Sequence, residues 1–299
     1  MMRLGIDIGA TNIKYGIVQF KSKIRNYELK ITNSVETESQ KGRDFVIQKI
    51  IFLINKYKEK YNIESIGIGV PGLVDRKSGN IYNPPNLPDW NGINLQNELK
   101  DVNLPIYVKN DANCFALGEY VLRKDEKIQN LIGITIGTGI GSGLILNGKI
   151  YHGSTGFASE IGHIKVVQNG RKCNCGQKGC LEAYSSATAI EKMSEEKFGK
   201  KIAVEILHKM ALNGDESAIR IFEIAFEKLG IVCAGLVNLL NLDVIVFGGG
   251  LSNMKEFLLD PVKKFVQKNS YKRIFDNVKI EISKFGMDSA IIGAASLME

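Results

Sequence analysis

The sequence predicts an α/β fold, on three observations. Strand patterns alternate with helix patterns along almost the whole chain. One strand–turn–strand segment occurs twice, with glycines matched at Gly5/Gly133 and Gly9/Gly137. A repeat at that distance implies two related halves and not a solenoid. The third observation is a compact set of metal-ligating residues, His163, Cys173, Cys175 and Cys180, the usual complement of a closed tetrahedral zinc site. With 299 residues, 44% of them hydrophobic, the chain can bury the core of two domains or of one large α/β unit.

Leu4 to Val18 reads as strand, glycine-containing turn, strand. Arg43 to Tyr61 carries Val46, Ile47, Ile50, Ile51, Leu53, Ile54 and Tyr57, an apolar face at helical spacing. Ile63 to Val70 reads as a buried strand, and the proline-rich stretch from Tyr82 to Trp90 as an ordered loop. Ile106 to Lys109 is a short strand that ends at Asn110-Asp111, and Ala112 to Val121 is the helix that follows. The second copy of the hairpin spans Ile132 to Leu146. Glu216 to Leu240 has a long apolar-rich helical pattern, and Asp243 to Phe247 is a buried strand running into Gly248-Gly249-Gly250.

Composition excludes several classes. No apolar run reaches membrane-spanning length, and the first residues enter a strand pattern without a secretory layout, so a cytoplasmic protein with no membrane partner is expected. The net charge of +7 raises nucleic acid as a partner. The lysines, however, are interleaved with acids, as in Lys56-Tyr57-Lys58-Glu59-Lys60, which is the pattern of a solvated surface; no nucleic-acid partner is expected. A zinc ribbon would need a second cysteine knuckle, which is missing.

The odd number of cysteines, five, argues against a disulfide framework and for a reducing compartment. Cys173, Cys175 and Cys180 could be inert core thiols, but they stand among Asn174, Gly176, Gln177, Lys178 and Gly179, residues that make tight turns of the kind a metal knuckle requires. Glu160 and Glu182 flank the cluster and are not needed to fill the shell of a metal. Cys114 and Cys233 lie in apolar helical surroundings and read as packing residues. His152 and His208 receive no role, with His208 expected on a helix surface.

Two kinds of phosphate site can be weighed. Gly67-Ile68-Gly69-Val70-Pro71-Gly72 matches the dinucleotide pattern literally, but Pro71-Gly72 leads into turns where that motif must open a helix. No Walker-type loop exists. The paired hairpin turns are better: Gly9 and Gly137-Thr138-Gly139 allow backbone N–H groups to approach phosphate oxygens. Asp7 could hold Mg²⁺ through water, and Thr11 and Thr138 could add hydroxyl donors. Asp111 is the candidate general base; its alternative is a helix N-cap.

Together these residues resemble the ROK family of sugar kinases and sugar-responsive repressors. Asp7-Ile8-Gly9-Ala10-Thr11 is similar to that family's first phosphate motif, Gly137-Thr138-Gly139-Ile140-Gly141 to its second, and Gly248-Gly249-Gly250 to its adenosine-side glycines. Glu160-Ile161-Gly162-His163 with the segment Cys173 to Glu182 resembles its sugar-and-zinc segment. Ala10 stands where the family usually has Gly, and Asn12 where it often has Lys.

The resemblance implies two actin-like (ribonuclease H-like) domains with a cleft between them and a structural zinc site. The expected division is residues 1–112, completed by the C-terminal helix 286–299, and residues 113–285. It implies ATP-dependent phosphorylation of a hexose 6-hydroxyl, glucose first and N-acetylmannosamine or N-acetylglucosamine second. A fructokinase is further off, and a repressor would need a DNA-binding domain for which the first strand at Leu4 leaves no room. Asp111 would accept the hydroxyl proton. Asn86, Asn110, Asp111, Glu160, His163 and Glu182 would bind the sugar. Asp7, Gly9, Ala10, Thr11, Asn12, Lys14, Gly137, Thr138, Gly139, Gly249 and Gly250 would bind MgATP, and His163, Cys173, Cys175 and Cys180 would hold Zn²⁺. A homodimer or higher homo-oligomer is the assembly implied.

Overall fold

The structure, a computed structural model, describes residues 1–21, 26–85, 87–123 and 125–297. By packing, the chain forms two compact units: Met1–Gln129 with Gly143–Ser159 and Phe285–Glu299, and Asn130–Ser142 with Glu160–Lys284.

The first unit opens with β1 (Met2–Ile8), β2 (Asn12–Phe20) and β3 (Tyr27–Glu36), followed by α1 (Arg43–Tyr61) and β4 (Ser65–Val70). The short β5 (Leu73–Val74) and β6 (Ile81–Tyr82), α2 (Leu95–Glu98), β7 (Ile106–Asn110) and α3 (Asp111–Leu122) come next. The helical spacing read in the sequence is realised in α1, where Val46, Ile47, Ile50, Leu53, Ile54 and Tyr57 are all buried. The helix stops at Asn62, which adopts the left-handed conformation (φ 47°) common just past a helix end. Trp90 is buried in the same core, with Ile6, Ile50, Ile66 and Leu95.

The strands form a sheet ordered β3-β2-β1-β4-β7. The hairpin strands pair antiparallel, and β4 and β7 add in parallel. Asp7, Gly69 and Asn110 therefore all lie toward the carboxyl ends of parallel strands, where ligands of open α/β sheets bind.

The second unit begins with β8 (Leu131–Ile136), and β9 (Ile140–Leu146) and β10 (Lys149–Ile150) run out of it into residues 143–159. It continues through α4 (Glu182–Ser185), α5 (Ala187–Phe198), α6 (Val204–Leu212), α7 (Glu216–Leu240), β11 (Val244–Gly248), α8 (Glu256–Asn269), α9 (Lys272–Phe275) and β12 (Lys279–Ile282). Its sheet is ordered β10-β9-β8-β11-β12, again a hairpin followed by parallel strands. The repeat seen in the sequence is thus a repeat of topology. One sequence expectation needs correction. His208 is not a plain helix-surface residue: its ring packs edge-on against Phe257 at 5.5 Å and Phe222 at 6.4 Å, because α6 packs on α7 and the first turn of α8 reaches the same spot.

The last helix, α10 (Met287–Ala295), belongs to the first unit. Four glycines let it lie directly on β1, β4 and α3. A Cβ on Gly5 would stand 2.1 Å from the Ile291 carbonyl oxygen, and one on Gly67 would stand 1.7 Å from that of Ala294. Gly118 meets the Ser289 carbonyl and Gly293 that of Cys114, each at 1.7 Å from the would-be Cβ. No side chain fits such gaps. A buried network fastens the same interface: the Ser289 hydroxyl donates to Glu119 Oε1 at 2.5 Å, and Glu119 pairs with Arg123 at 3.0 Å. This packing holds the whole of α3 in the first unit, so that unit runs past residue 112. Among the described residues no helix is long and apolar enough to cross a membrane.

Gly293→Ala should cost more than ~3 kcal/mol in denaturant unfolding, because backbone must move to admit the methyl group. Gly235→Ala, in α7 with nothing within 4 Å of the new Cβ, should instead stabilise by about 1 kcal/mol. Equal effects at the two positions would refute the packing argument.

Candidate functional site

In the first unit, the end of β1 and the start of α3 bring two acidic residues, Asp7 and Asp111, close to one glycine. A Cβ on Gly69 would lie 3.5 Å from Asp7 Oδ1, 3.5 Å from the Asp111 Cα and 3.2 Å from Cys114 Sγ. A side chain there would crowd Cys114 first, and Asp7 and Asp111 border the same small space. Gly69 comes from the glycine pattern rejected as a dinucleotide loop; that pattern is β4 and the turn after it. The signal available in the sequence was a glycine inside an apolar strand, which often marks a close approach.

Asp111 is the first residue of α3, and the capping role falls to its neighbour. Asn110 Oδ1 accepts from the Asn113 N–H at 3.1 Å, and Asn110 Nδ2 donates to the Gly72 carbonyl at 3.0 Å. Asp111 Oδ1 accepts from the Ala112 N–H at 2.8 Å and from Asn110 Nδ2 at 3.0 Å. A carboxylate at a helix N-terminus is stabilised by the helix dipole as well.

Asp7 is buried, and burial raises its pKa; Lys14, across the hairpin at 3.8 Å, pulls the other way without cancelling the shift. The β1–β2 turn is held by Thr37, which is fully buried. Its hydroxyl donates to the Gly9 carbonyl at 2.7 Å and its N–H to the Thr11 carbonyl at 2.8 Å. Gly9 donates to the Asn12 carbonyl at 2.9 Å, and Ala10 and Thr11 stand exposed at the tip. Thr37 escaped the sequence reading because it lies 28 residues from the turn it supports.

In the second unit, the turn between β8 and β9 is closed by Gly137 N–H donating to the Gly139 carbonyl at 2.9 Å. Its neighbours fix it further. Ala187 N–H donates to the Gly137 carbonyl at 2.8 Å, and the Thr188 hydroxyl to that of Thr138 at 3.0 Å. Gly249 follows the adjacent parallel strand β11 with φ 82°, and a Cβ there would lie 2.5 Å from the Ile136 carbonyl. Gly137–Gly139 and Gly249–Gly250 thus sit at the carboxyl ends of neighbouring strands.

Glu182 connects this turn to the cysteine cluster. Its Oε2 accepts from the Ile140 N–H at 3.0 Å, and its Oε1 lies 3.7 Å from Cys173 Sγ. Glu160 is accessible, yet the protein packed around it raises its pKa, with His163 opposing and Glu182 adding to the rise.

The four proposed ligands converge. Their donor atoms all lie within 4.8 Å of one another. Cys175 and Cys180 sulfurs are 3.7 Å apart, and Cys173 Sγ is 3.8 Å from His163 Nδ1. Tetrahedral thiolate coordination at 2.3 Å requires edges of about 3.8 Å. The residues therefore fit a metal ion of this kind. Two glycines shape the knuckle: Gly176 at φ 87°, and Gly179 at φ 78°, where a Cβ would lie 1.8 Å from the Val167 carbonyl. Asn86 lies outside the described residues.

Fold and site define an α/β protein of the actin-like ATPase fold, with glycine turns at the strand ends and a cysteine–histidine cluster that could hold a metal. The model of the ROK family matches residues 3–299, and the chain belongs to that family. It is 32% identical to a glucokinase of Thermotoga maritima, over 99% of this chain and 96% of that protein. It is 30% identical to an N-acetyl-D-glucosamine kinase of Histophilus somni, over 99% and 98%. A crystal structure of a ROK family glucokinase from Streptomyces griseus in complex with glucose and AMPPNP superposes with a TM-score of 0.81, at 29% identity over 99% of this chain and 98% of that one.

Proposed function

We propose that this chain is an ATP-dependent hexokinase that transfers the γ-phosphoryl group of ATP to the 6-hydroxyl of glucose. The observation that carries the reading is that Asp111 and Asp7 both border Gly69. One carboxylate serves the attacking hydroxyl, and the other serves the phosphates. Likeness to the glucokinases over nearly the full length supports glucose as the acceptor.

Asp111 takes the proton of the 6-hydroxyl as that oxygen bonds to the γ-phosphorus. The bond from phosphorus to the β–γ bridging oxygen breaks, and ADP leaves. Such reactions are governed by positioning and charge stabilisation. The hydrogen bonds from Ala112 and Asn110 fix the Asp111 carboxylate for that task. Backbone N–H groups of the turns Gly9–Asn12 and Gly137–Gly139 bind phosphate oxygens, Lys14 adds charge, and Gly249 and Gly250 line the adenosine. Asp7 would hold, through water, the Mg²⁺ that arrives with ATP. Asn86, Asn110, Glu160, His163 and Glu182 bind sugar hydroxyls.

His163, Cys173, Cys175 and Cys180 would hold Zn²⁺, which supplies a fixed tautomer and orientation for the His163 ring. Glu182 bonds the turn at Ile140 and borders Cys173, so the cluster also positions the second phosphate turn. Reduced thiols suit the cytoplasm. A homodimer is the assembly proposed from the family. A second reading, an N-acetylglucosamine or N-acetylmannosamine kinase, is favoured by the N-acetyl-D-glucosamine kinase relative.

ADP release from MgATP, followed with glucose, N-acetylglucosamine, N-acetylmannosamine, mannose and fructose offered separately, distinguishes these readings. Turnover with glucose alone is expected. Preference for an acetamido sugar would move the specificity, and silence with every sugar from zinc-loaded protein would leave a sugar sensor.

Asp111→Asn should lower kcat by about 10³-fold or more while glucose still binds by calorimetry. Substantial residual turnover would remove Asp111 as the base. Cys175→Ser should lose zinc, measured by atomic absorption, and weaken sugar binding in parallel. Zinc loss at unchanged sugar affinity would disprove the orienting role of His163.

A further inference from the structure

We propose that Lys109, Arg76 and His152 of the first unit form an anion site that takes a phosphate oxyanion, either inorganic phosphate or the phosphoryl group of a sugar phosphate.

The backbone gathers these residues from three segments. Lys109 pairs in register with Gly69, and Gly69 with Asp7, so Lys109 and Asp7 stand on one face of the sheet with a glycine between them. The bond from Asn110 Nδ2 to the Gly72 carbonyl draws the chain that leads to Arg76 alongside β7. Arg76 N–H donates to the Thr155 carbonyl at 3.0 Å, and a Cβ on Gly156 would lie 3.0 Å from the Arg76 nitrogen. The same loop is closed on His152, whose carbonyl accepts from Gly156 at 3.1 Å and Ala158 at 3.3 Å.

The charges are unbalanced. Among the described residues, none of the three has a carboxylate within ion-pairing distance. Asp75, next to Arg76, is turned toward its own loop, where its Oδ1 accepts from Ser78 N–H at 2.7 Å, the Ser78 hydroxyl at 2.9 Å and Lys77 N–H at 3.0 Å. Lys109 and His152 are half-buried, and Arg76 is exposed. Burial lowers the Lys109 pKa, and the charge of Arg76 lowers it further. Burial, then Lys109, then Arg76 bring His152 down to about 4. A half-buried ammonium held beside a guanidinium without a counter-charge raises the energy of the fold. An oxyanion would offset the charges of Lys109 and Arg76 and would let the neutral His152 ring take up a proton or donate its N–H. A guanidinium fork, an ammonium and an imidazole are suited to a phosphate, which offers more acceptor oxygens than a carboxylate.

The experiment uses full-length, zinc-loaded protein without sugar or nucleotide. Inorganic phosphate and glucose 6-phosphate are titrated separately, at constant ionic strength set with sodium chloride. Heat and the NMR titration of His152, one of three histidines, are read together. Saturable binding is expected, raising the His152 pKa by about one pH unit or more. Arg76→Gln and Lys109→Met should each weaken binding by about ten-fold. Lys109→Met should also raise the His152 pKa without ligand while the thermal midpoint stays at that of the unsubstituted chain, since a loosened fold would raise the pKa by exposing the ring and would melt earlier. Binding of phosphate alone would identify the free ion as the ligand, and binding of the hexose phosphate alone the phosphorylated sugar. Failure of both to shift His152, or undiminished binding in both variants, would overturn the proposal. No arm depends on turnover, so such a failure leaves the kinase reading standing.

Discussion

The closest constraint in the molecule is the contact of α10 with β1, β4 and α3. Gly5, Gly67, Gly118 and Gly293 each bring backbone to within a distance that excludes any side chain. Asp7 stands at the end of β1, two residues beyond Gly5, and Asp111 opens the helix that carries Gly118. The separation of these acids is therefore governed by how closely α3 and β1 sit against the same C-terminal helix. Packed interiors deform little, so a spacing fixed by backbone contact is stiffer than one left to long side chains. The Glu119–Arg123 pair with Ser289 adds specificity to this interface more than stability, since a buried ion pair seldom repays its desolvation.

The second unit solves a similar problem with side chains. Its turn at Gly137–Gly139 is gripped through Ala187, Thr188 and Glu182, and all three follow the cysteine knuckle closely in sequence. The knuckle itself is short and almost without apolar residues, so it cannot hold its shape by burial. A metal held by His163, Cys173, Cys175 and Cys180 would do that work locally, and Glu182, bonded to Ile140 and bordering Cys173, would pass the constraint to the turn. Knuckle and turn would then form one mechanical piece.

Much of this was legible in sequence because it depends on neighbours along the chain. The apolar spacing of α1 and α7, the strand before Gly248 and the ligand spacing of the knuckle are all local signals. What was hidden depends on distant partners. Gly67 requires Ala294, Thr37 requires Gly9, and the reason for Gly69 appears only when Asp7, Asp111 and Cys114 surround it. The choice between Asp111 as cap and as base could not be made from composition, because Asn110 and Asp111 are both good caps; the backbone gives that role to Asn110. His208 shows the opposite failure: a polar residue on a helix was read as solvated, whereas Phe222 and Phe257 arrive from other helices to cover it.

Cys114 illustrates how the acids are accommodated. It is fully buried beside both, and burial, then Asp7, then Asp111 push its thiol well above the usual range. It therefore stays protonated and adds no third negative charge. A carboxylate there would compound the repulsion, and a lysine or arginine would neutralise the acids within the fold. Neutralised acids would attract a metal-bound phosphate less and accept a proton less readily. A small, neutral, polarisable side chain fills the space without either effect. Asp7 then retains a pKa raised by burial that Lys14, at 3.8 Å, only partly offsets. A buried carboxylate in that condition gains most from an incoming cation, so under the kinase reading proposed above the energy held in its desolvation would favour a metal-bound nucleotide over an empty site.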